Sequence, residues 1–464
     1  MAYTEDTIVG IATPRGYGGV TIVKISGDLS LTVLCSVFRR APHHVVTPEI
    51  EKRRQLLHGY IKHPSTLEVI DEVLVSIMPG PKSYTREDVV EINVHGGPVV
   101  SESVLELIVQ QGVRAAEPGE FTQRAFLNGR IDLTQAEAVI DLIQAKSLRG
   151  ITSVNRIAVG GLGQLLRPLI GHLKAFLADI EASIEFEDEI GRIDSFDAYS
   201  SRVTEEWLPP LTRIVDSFHY GRRIRDGVKV TILGAPNVGK STLMNALVQC
   251  DKAIVTEFPG TTRDLIEDTF FIQGEPTIVT DTAGVHDSTD PIEIIGIRKA
   301  IESSEKADLV LWVIDAGRPA TTLHPDIGFA LDPQKTLLVL NKIDLYDPVG
   351  VGHTIDQRFE MVPISAKIGT GLPELNKRIF RRMQDGSPEG NGDDALSPNL
   401  RQKLLIDNAI GSLRRPIDNG HGPLGIECLA EDLKDAIGYL QKVLGQGIST
   451  DVLDEIFSRF CIGK

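Results

Sequence analysis

Residues 234–241 read Gly234-Ala235-Pro236-Asn237-Val238-Gly239-Lys240-Ser241, the spacing of a phosphate-binding loop, G-x-x-x-x-G-K-[ST]. An apolar, β-rich run from Val228 to Leu233 precedes it, and a helix-like run from Thr242 to Val248 follows. That strand–loop–helix order is the context the motif requires. Glycines let backbone N–H groups wrap a polyphosphate, and the N-terminus of the next helix attracts anions. In such a loop Lys240 reaches the terminal phosphates and the Ser241 hydroxyl binds Mg²⁺, while Val238, Gly239 and Thr242 complete the cradle.

The loop alone leaves the base and the reaction open. Downstream, Thr261-Thr262-Arg263-Asp264 follows Pro259 and Gly260. The segment Thr256-Glu257-Phe258-Pro259-Gly260-Thr261-Thr262 can fold over a γ-phosphate and place Thr262 on the metal. Asp281-Thr282-Ala283-Gly284 ends the apolar strand Thr277 to Thr280; its Asp suits the surroundings of Mg²⁺, and its Gly can donate an N–H to the γ-phosphate. Asn341-Lys342-Ile343-Asp344 ends the strand Thr336 to Leu340. A carboxylate there accepts two hydrogen bonds from the N1–H and N2–H₂ edge of guanine, an edge that adenine lacks. Ser365-Ala366-Lys367 follows Val362 to Ile364 and would back the guanine with main-chain contacts. Alone, an Asn-Lys-x-Asp is commonly a surface turn and an Asp-Thr-Ala-Gly a strand-ending turn. In this order, each after a strand, they specify a site that binds and hydrolyses GTP.

At 464 residues the chain is too long for one core and suggests about three domains. Hydrophobic content of 42% and charged content of 24% are those of a soluble globular protein. No apolar run is long enough to span a membrane, and the start, Met-Ala-Tyr-Thr-Glu-Asp, shows no secretory signal, which favours the cytoplasm. Cys35, Cys250, Cys428 and Cys461 are scattered, without zinc-ligand spacing, and suit a reducing compartment. The net charge of −16 argues against a generic nucleic-acid binder, so any RNA contact needs a local basic patch or a partner.

Residues 1–120 mix β-like runs (Thr7 to Ala12, Val20 to Ser26, Val73 to Met78, Val89 to Val94) with helical patches. Near Arg130 the character changes: Thr134-x-x-Glu137 reads as a capping box, with Ala136, Val139, Ile140 and Ile143 at helical spacing behind it. Leu165, Leu166, Leu169, Ile170, Leu173, Phe176, Leu177 and Ile180 form a long apolar stripe, read as core. Strand and helix alternate from 227 to about 384, as in a doubly wound sheet. A Gly/Asp/Pro/Ser-rich linker, Asp385 to Pro398, leads to a second helical part. The expected fold is multidomain: an N-terminal α+β domain (1–125), an all-α domain in two parts (126–225 and 386–464), and an α/β P-loop GTPase domain (226–385) inserted into it.

The chain resembles, over its whole length, the tRNA-modification GTPase MnmE (TrmE) family. The resemblance rests on Asp6-Thr7-Ile8-Val9, Ala12-Thr13-Pro14, Gly18-Gly19-Val20 and Ile25-Ser26-Gly27 at the start. Further signatures are Ser83-Tyr84-Thr85-Arg86-Glu87-Asp88, His95-Gly96-Gly97-Pro98, Pro118-Gly119-Glu120-Phe121 and Arg124-Ala125-Phe126-Leu127-Asn128. The end, Phe460-Cys461-Ile462-Gly463-Lys464, is similar to the family's Cys-x-Gly-Lys signature. The resemblance implies a homodimer that forms a heterotetramer with the flavoprotein MnmG (GidA). Together they would add a (carboxymethyl)aminomethyl group to carbon 5 of the wobble uridine of certain tRNAs. The resemblance also implies that GTP hydrolysis is required and that 5-formyl- or 5,10-methylene-tetrahydrofolate supplies the one-carbon unit.

By the same resemblance, Asn237 would coordinate a K⁺ ion, completed by Thr256, Phe258 and Thr261. Such a cation can stabilise transition-state charge in the way an arginine finger does. Glu293 matches the family's catalytic Glu, which orients water; its other reading is a residue favouring a helix N-terminus. Folate contacts map to Lys24, Glu91, Arg130 and Lys464, although the family often has Arg at the first position and Lys at the third. Charge is kept there, but bidentate geometry is not. Cys461 has two readings, a required thiol able to add to uridine carbon 6 or a quietly packed residue. The competing class is a ribosome-assembly or RNA-binding regulatory GTPase switch, which would need an appended RNA-binding module that the sequence does not display.

Overall fold

The structure, a computed structural model, describes residues 6–44, 51–185, 195–250, 267–272, 275–281, 302, 304–318, 331–346, 357–384, 396–419 and 426–463. The chain divides into two compact units, one of Met1–Ile140, Ile157–Leu208 and Leu404–Lys464, the other of Asp141–Arg156 and Pro209–Lys403.

The first unit opens with β1 (Ile8–Ile11), β2 (Val20–Ser26), α1 (Ser30–Val37), β3 (Phe38–Arg39), β4 (Gln55–Lys62), β5 (Val69–Met78), β6 (Val89–His95), α2 (Pro98–Val109), β7 (Arg114–Ala115) and α3 (Glu120–Leu127). The strands form a 7-stranded sheet in the order β3-β4-β5-β6-β2-β1-β7. All pairings are antiparallel except β1 with β7. Alternation builds it: on β5, Val73, Val75 and Ile77 are buried and Glu72 and Leu74 exposed. The buried face carries α1 and α2 through Val33, Leu34, Val37, Val104, Leu107 and Ile108. The expected strands are all present, β2 at its expected limits and β5 starting earlier, at Val69. The sequence reading missed β4, whose exposed Leu56 and His58 and buried Gly59 blur the period-2 pattern.

Helices follow: α4 (Leu133–Gln144), α5 (Leu148–Ala158), α6 (Gly161–Glu185), α7 (Ser195–Arg202), a π turn (Val203–Trp207) and α8 (Leu208–Asp226). The cap of α4 lies upstream of the expected Thr134–Glu137 pair. Asp132 Oδ1 accepts from the Gln135 N–H at 3.1 Å and from Thr134 Oγ1 at 2.6 Å, and the Asp132 N–H donates back to Gln135 Oε1 at 3.1 Å. An ionised carboxylate at a helix N-terminus is the stronger acceptor, so Thr134 becomes a donor to the cap instead of being the cap. The apolar stripe of α6 is core, as read: Leu166, Leu169, Ile170, Leu173, Phe176 and Ile180 are buried, with Leu165 and Leu177 half-buried. Phe176, Tyr199 and Trp207 stack edge-on or tilted, Phe176 to Trp207 at 5.5 Å, and the Tyr199 hydroxyl donates to the Leu413 carbonyl at 2.7 Å.

The second unit is built on β8 (Val228–Leu233), α9 (Lys240–Cys250), β9 (Glu267–Ile272), β10 (Glu275–Asp281), β11 (Leu309–Asp315), β12 (Thr336–Asn341), β13 (Glu360–Pro363) and α10 (Leu372–Gln384). The last helices of the chain are α11 (Leu400–Asp418), α12 (Ile426–Val443) and α13 (Thr450–Ser458). The second sheet has 6 strands in the order β13-β12-β11-β8-β10-β9, all parallel except β9. β11 and β12 are almost continuously apolar, as strands covered on both faces must be. The sheet winds one way from β8 to β10 and the other way to β11, so the loop after β8 opens at the topological switch point.

Candidate functional site

All of the described motif residues lie at the carboxyl edge of the second sheet. The phosphate loop follows β8, Asp281 ends β10, Asn341 ends β12, and Ser365 follows β13. The loop's shape depends on two glycines. Gly234 (φ 156°) leaves no room for a Cβ, which would meet the Val313 carbonyl at 2.4 Å; Gly239 (φ 100°) would meet Asn341 Nδ2 at 2.4 Å. Asn237 is a non-glycine held at φ 64°, with its side chain exposed. Lys240 opens α9, and its Nζ donates to the carbonyls of Gly234 at 2.9 Å and Ala235 at 3.0 Å, spanning the loop mouth. Ser241 and Thr242 are exposed in the first turn of α9, while Val238 is buried beneath.

The Asn341–Asp344 segment is tied to this loop. Buried Asn341 donates through Nδ2 to the Val238 carbonyl at 2.8 Å, and its Oδ1 accepts from the Lys342 amide at 2.8 Å and the Ala366 amide at 3.0 Å. Lys342 Nζ donates to the Asn237 carbonyl at 2.8 Å and to Asp315 Oδ2 at 2.7 Å. Asp344 is exposed, and Ser365 Oγ donates to its Oδ1 at 2.6 Å, which orients the carboxylate. Lys367 is exposed. Ser365 thus contributes its hydroxyl as well as main chain, a role the motif reading did not foresee. Asp315 was also missed. Its signal was the one used elsewhere, an Asp ending an apolar strand, but it falls outside the motifs. Burial works against its charge, yet the Lys342 ammonium and the Gly317 amide outweigh that and hold it below the usual carboxylate range. Thr256, Glu257, Phe258, Pro259, Gly260, Thr261, Thr262, Thr282, Ala283, Gly284 and Glu293 lie outside the described residues; for Asp281 only the backbone is described.

The first unit gathers a second constellation. Antiparallel register sets Lys24 of β2 opposite Glu91 of β6, with the ions 3.5 Å apart. Lys24 Nζ stands 5.3 Å from the Tyr84 ring centre and 5.4 Å from that of Phe121, and the Arg130 guanidinium lies 4.6 Å from Tyr84. Tyr84 is anchored by its hydroxyl, 2.9 Å from Thr122 Oγ1. Lys24 and Arg130 therefore share one aromatic platform, the Tyr84 ring, and Glu91 joins them through its ion pair with Lys24. The chain's end docks on the same unit. Phe457 and Phe460 are buried against Phe126, Leu133 and Ala136, and the Gly119 N–H donates to the Cys461 carbonyl at 3.4 Å. Cys461 itself is exposed, and Lys464 lies outside the described residues.

The family model described as "GTP-binding protein TrmE N-terminus" matches residues 7–130, and that described as "MnmE helical domain" matches residues 133–461, a span that brackets the second sheet. A tRNA modification GTPase MnmE of Acetivibrio thermocellus is 41% identical over 467 residues, covering 100% of both chains. The protein of the same name from Syntrophobacter fumaroxidans is 42% identical over 474 residues, covering 99% of each. Among solved structures, Aquifex aeolicus Era is 30% identical over 40% of this chain and 66% of its own, with a TM-score of 0.27, too low to carry weight. Identity of this depth from end to end, through the flanks as well as the phosphate loop, shows that the chain is a GTPase and belongs to the tRNA modification GTPase MnmE family.

Proposed function

We propose that the chain couples GTP hydrolysis to the addition of a (carboxymethyl)aminomethyl group at carbon 5 of the wobble uridine of certain tRNAs. In this reading it works as a homodimer with a flavoprotein partner of the MnmG type, in the cytoplasm, with domain boundaries near residues 125, 225 and 385. The observation that carries it is the pairing, within one chain of this family, of two sites. One is the Asn341–Asp344 segment tied to the phosphate loop; the other is the cluster of Lys24 and Arg130 at Tyr84, with Glu91 paired to Lys24.

At the nucleotide site, Asp344 accepts from the guanine edge and Lys240 neutralises the terminal phosphates. The exposed Ser241 hydroxyl at the start of α9 fits a hard, oxygen-seeking Mg²⁺, with Thr262 as its companion. The exposed amide oxygen of Asn237, on a backbone held at φ 64°, fits a K⁺ ion shared with Thr256, Phe258 and Thr261. Bound there, the cations supply positive charge where the transition state develops negative charge. Glu293 orients the attacking water. In the first unit, Lys24, Arg130 and Lys464 suit the carboxylates of a tetrahydrofolate, and Glu91 suits the N–H edge of its pterin. Bound there, the folate supplies the one-carbon unit. Cys461, exposed on the tail, is in this reading a thiol required for modification.

The reading is tested in cells lacking the protein. Mass analysis of their tRNAs is expected to show unmodified wobble uridine, restored by the wild-type chain but not by Asp344→Asn. Restoration by that variant, or normal uridine in the deletion, would overturn it. In vitro, GTP turnover is expected to fall markedly when Na⁺ replaces K⁺ at constant ionic strength, and equal rates would remove the K⁺ site.

A further inference from the structure

We propose that Asp315 is a positioning residue of the nucleotide site: it holds Lys342 across the phosphate loop and so ties guanine recognition to the backbone of Asn237. The proposal rests on the nucleotide-site reading above. Two non-glycine residues of this site, Asn237 and Lys342, have left-handed backbones, at φ 64° and 68°. Such conformations persist only where surrounding contacts enforce them. A single ammonium links the two, since Lys342 Nζ reaches the Asn237 carbonyl at 2.8 Å.

A lysine on a four-carbon stem does not stay over one carbonyl unaided, because fixing its rotamers costs entropy. Asp315 supplies the second anchor, accepting from Lys342 Nζ through Oδ2 at 2.7 Å. The carboxylate is itself fixed. Its other oxygen, Oδ1, accepts from the Gly317 amide at 2.9 Å. Asp315 stands in register with Asn341, whose carbonyl accepts from the Ala316 amide at 2.9 Å. Gly317 has no side chain, and a Cβ there would lie 2.5 Å from the Tyr346 ring, so Tyr346 closes over the turn. Side-chain exposure of 17% for Asp315 and 31% for Lys342 leaves the pair only partly screened. The bland alternative is a surface ion pair that adds a little stability and nothing else. The two differ in what the pair does to bound nucleotide.

Fluorescent GDP dissociation separates them, measured on the full chain with Asp315→Asn, Lys342→Met and the double variant. Asp315→Asn is expected to release GDP about tenfold faster and to raise KM for GTP by a similar factor, with a much smaller change in kcat, the size of a contact-level coupling. The double variant is expected to be no faster than Lys342→Met alone, because Asp315 acts through that lysine. Asp315→Glu, which keeps the charge, is expected to lie between wild type and Lys342→Met, and it carries the comparison if the amide variant does not fold. A wild-type dissociation rate in Asp315→Asn, or accelerations that multiply in the double variant, would overturn the proposal. Failure of the underlying site reading shows separately, as an unchanged base preference in Asp344→Asn.

Discussion

At the scale of single residues, the nucleotide site depends on groups that already have partners. Asn341 is 3% exposed and uses both ends of its amide within the protein, fastening the Asp344 segment to the phosphate loop. The proposed reader of the base is Asp344, exposed and steadied by Ser365. Asp344→Asn is expected to weaken GTP binding by at least about tenfold and to shift preference toward xanthosine triphosphate, whose edge complements an amide. Competition between the two nucleotides measures this, and a retained preference for GTP refutes the assignment. The Asp to Asn change is small, so a folding defect is not expected to confuse the result.

Among elements, the ionic network that fastens α3 to the strands beside it sets an acid limit. Arg124, 2% exposed, donates to Asp6 at 2.7 Å and to Glu120 at 3.0 Å, and Arg114 donates to Glu120 at 2.6 Å. Burial raises the Glu120 pKa, but Arg114, the Glu117 amide and Arg124 together outweigh it and leave the carboxyl below its usual value. A folded pKa below the unfolded one means that the stabilisation is complete above the unfolded value, about 4.3, and is lost as pH falls through the folded value. The melting temperature is therefore expected to fall as the medium is acidified below about pH 4.5, and Glu120→Gln to flatten that dependence while lowering stability at neutral pH. Parallel melting curves of the variant and wild type would exclude Glu120 as the cause. The cap of α4 belongs to the same scale: Asp132 was passed over for Thr134 because a sequence pattern does not show which of two adjacent acceptors the chain turns inward.

For the molecule as a whole, the chain's last residues complete the unit that its first residues begin. Gly463 (φ 89°) packs where a Cβ would stand 2.2 Å from the Ile11 carbonyl, and Gly119 (φ 70°) where one would stand 2.6 Å from the Phe457 carbonyl. Gly463→Val is expected to unseat the tail, quickening hydrogen exchange at the Gly119 amide, which donates to Cys461, and lowering the melting temperature by a few degrees, about 1 kcal/mol. Unchanged exchange would show that the tail is held by Phe457 and Phe460 alone. Deleting residues 1–120 would strip away both Ile11 and Gly119, so point variants at Lys24, Glu91 and Arg130 are the cleaner probe of the proposed folate site.

By itself the sequence determined the α/β unit and its motif-bearing edge. A parallel strand, a glycine-bearing turn and a helix start are all written within a few residues, and each motif follows its own strand. It also marked the family through signatures at both ends. Tertiary structure decided the rest, because pairing between distant segments is set by register and packing rather than by local period. Lys24 meets Glu91 only through the antiparallel register of β2 and β6. Tyr84 collects Lys24 and Arg130 only because the loop before β6 folds onto α3. Lys342 finds Asp315 only because β11 and β12 lie side by side, bringing two strand ends together at the phosphate loop.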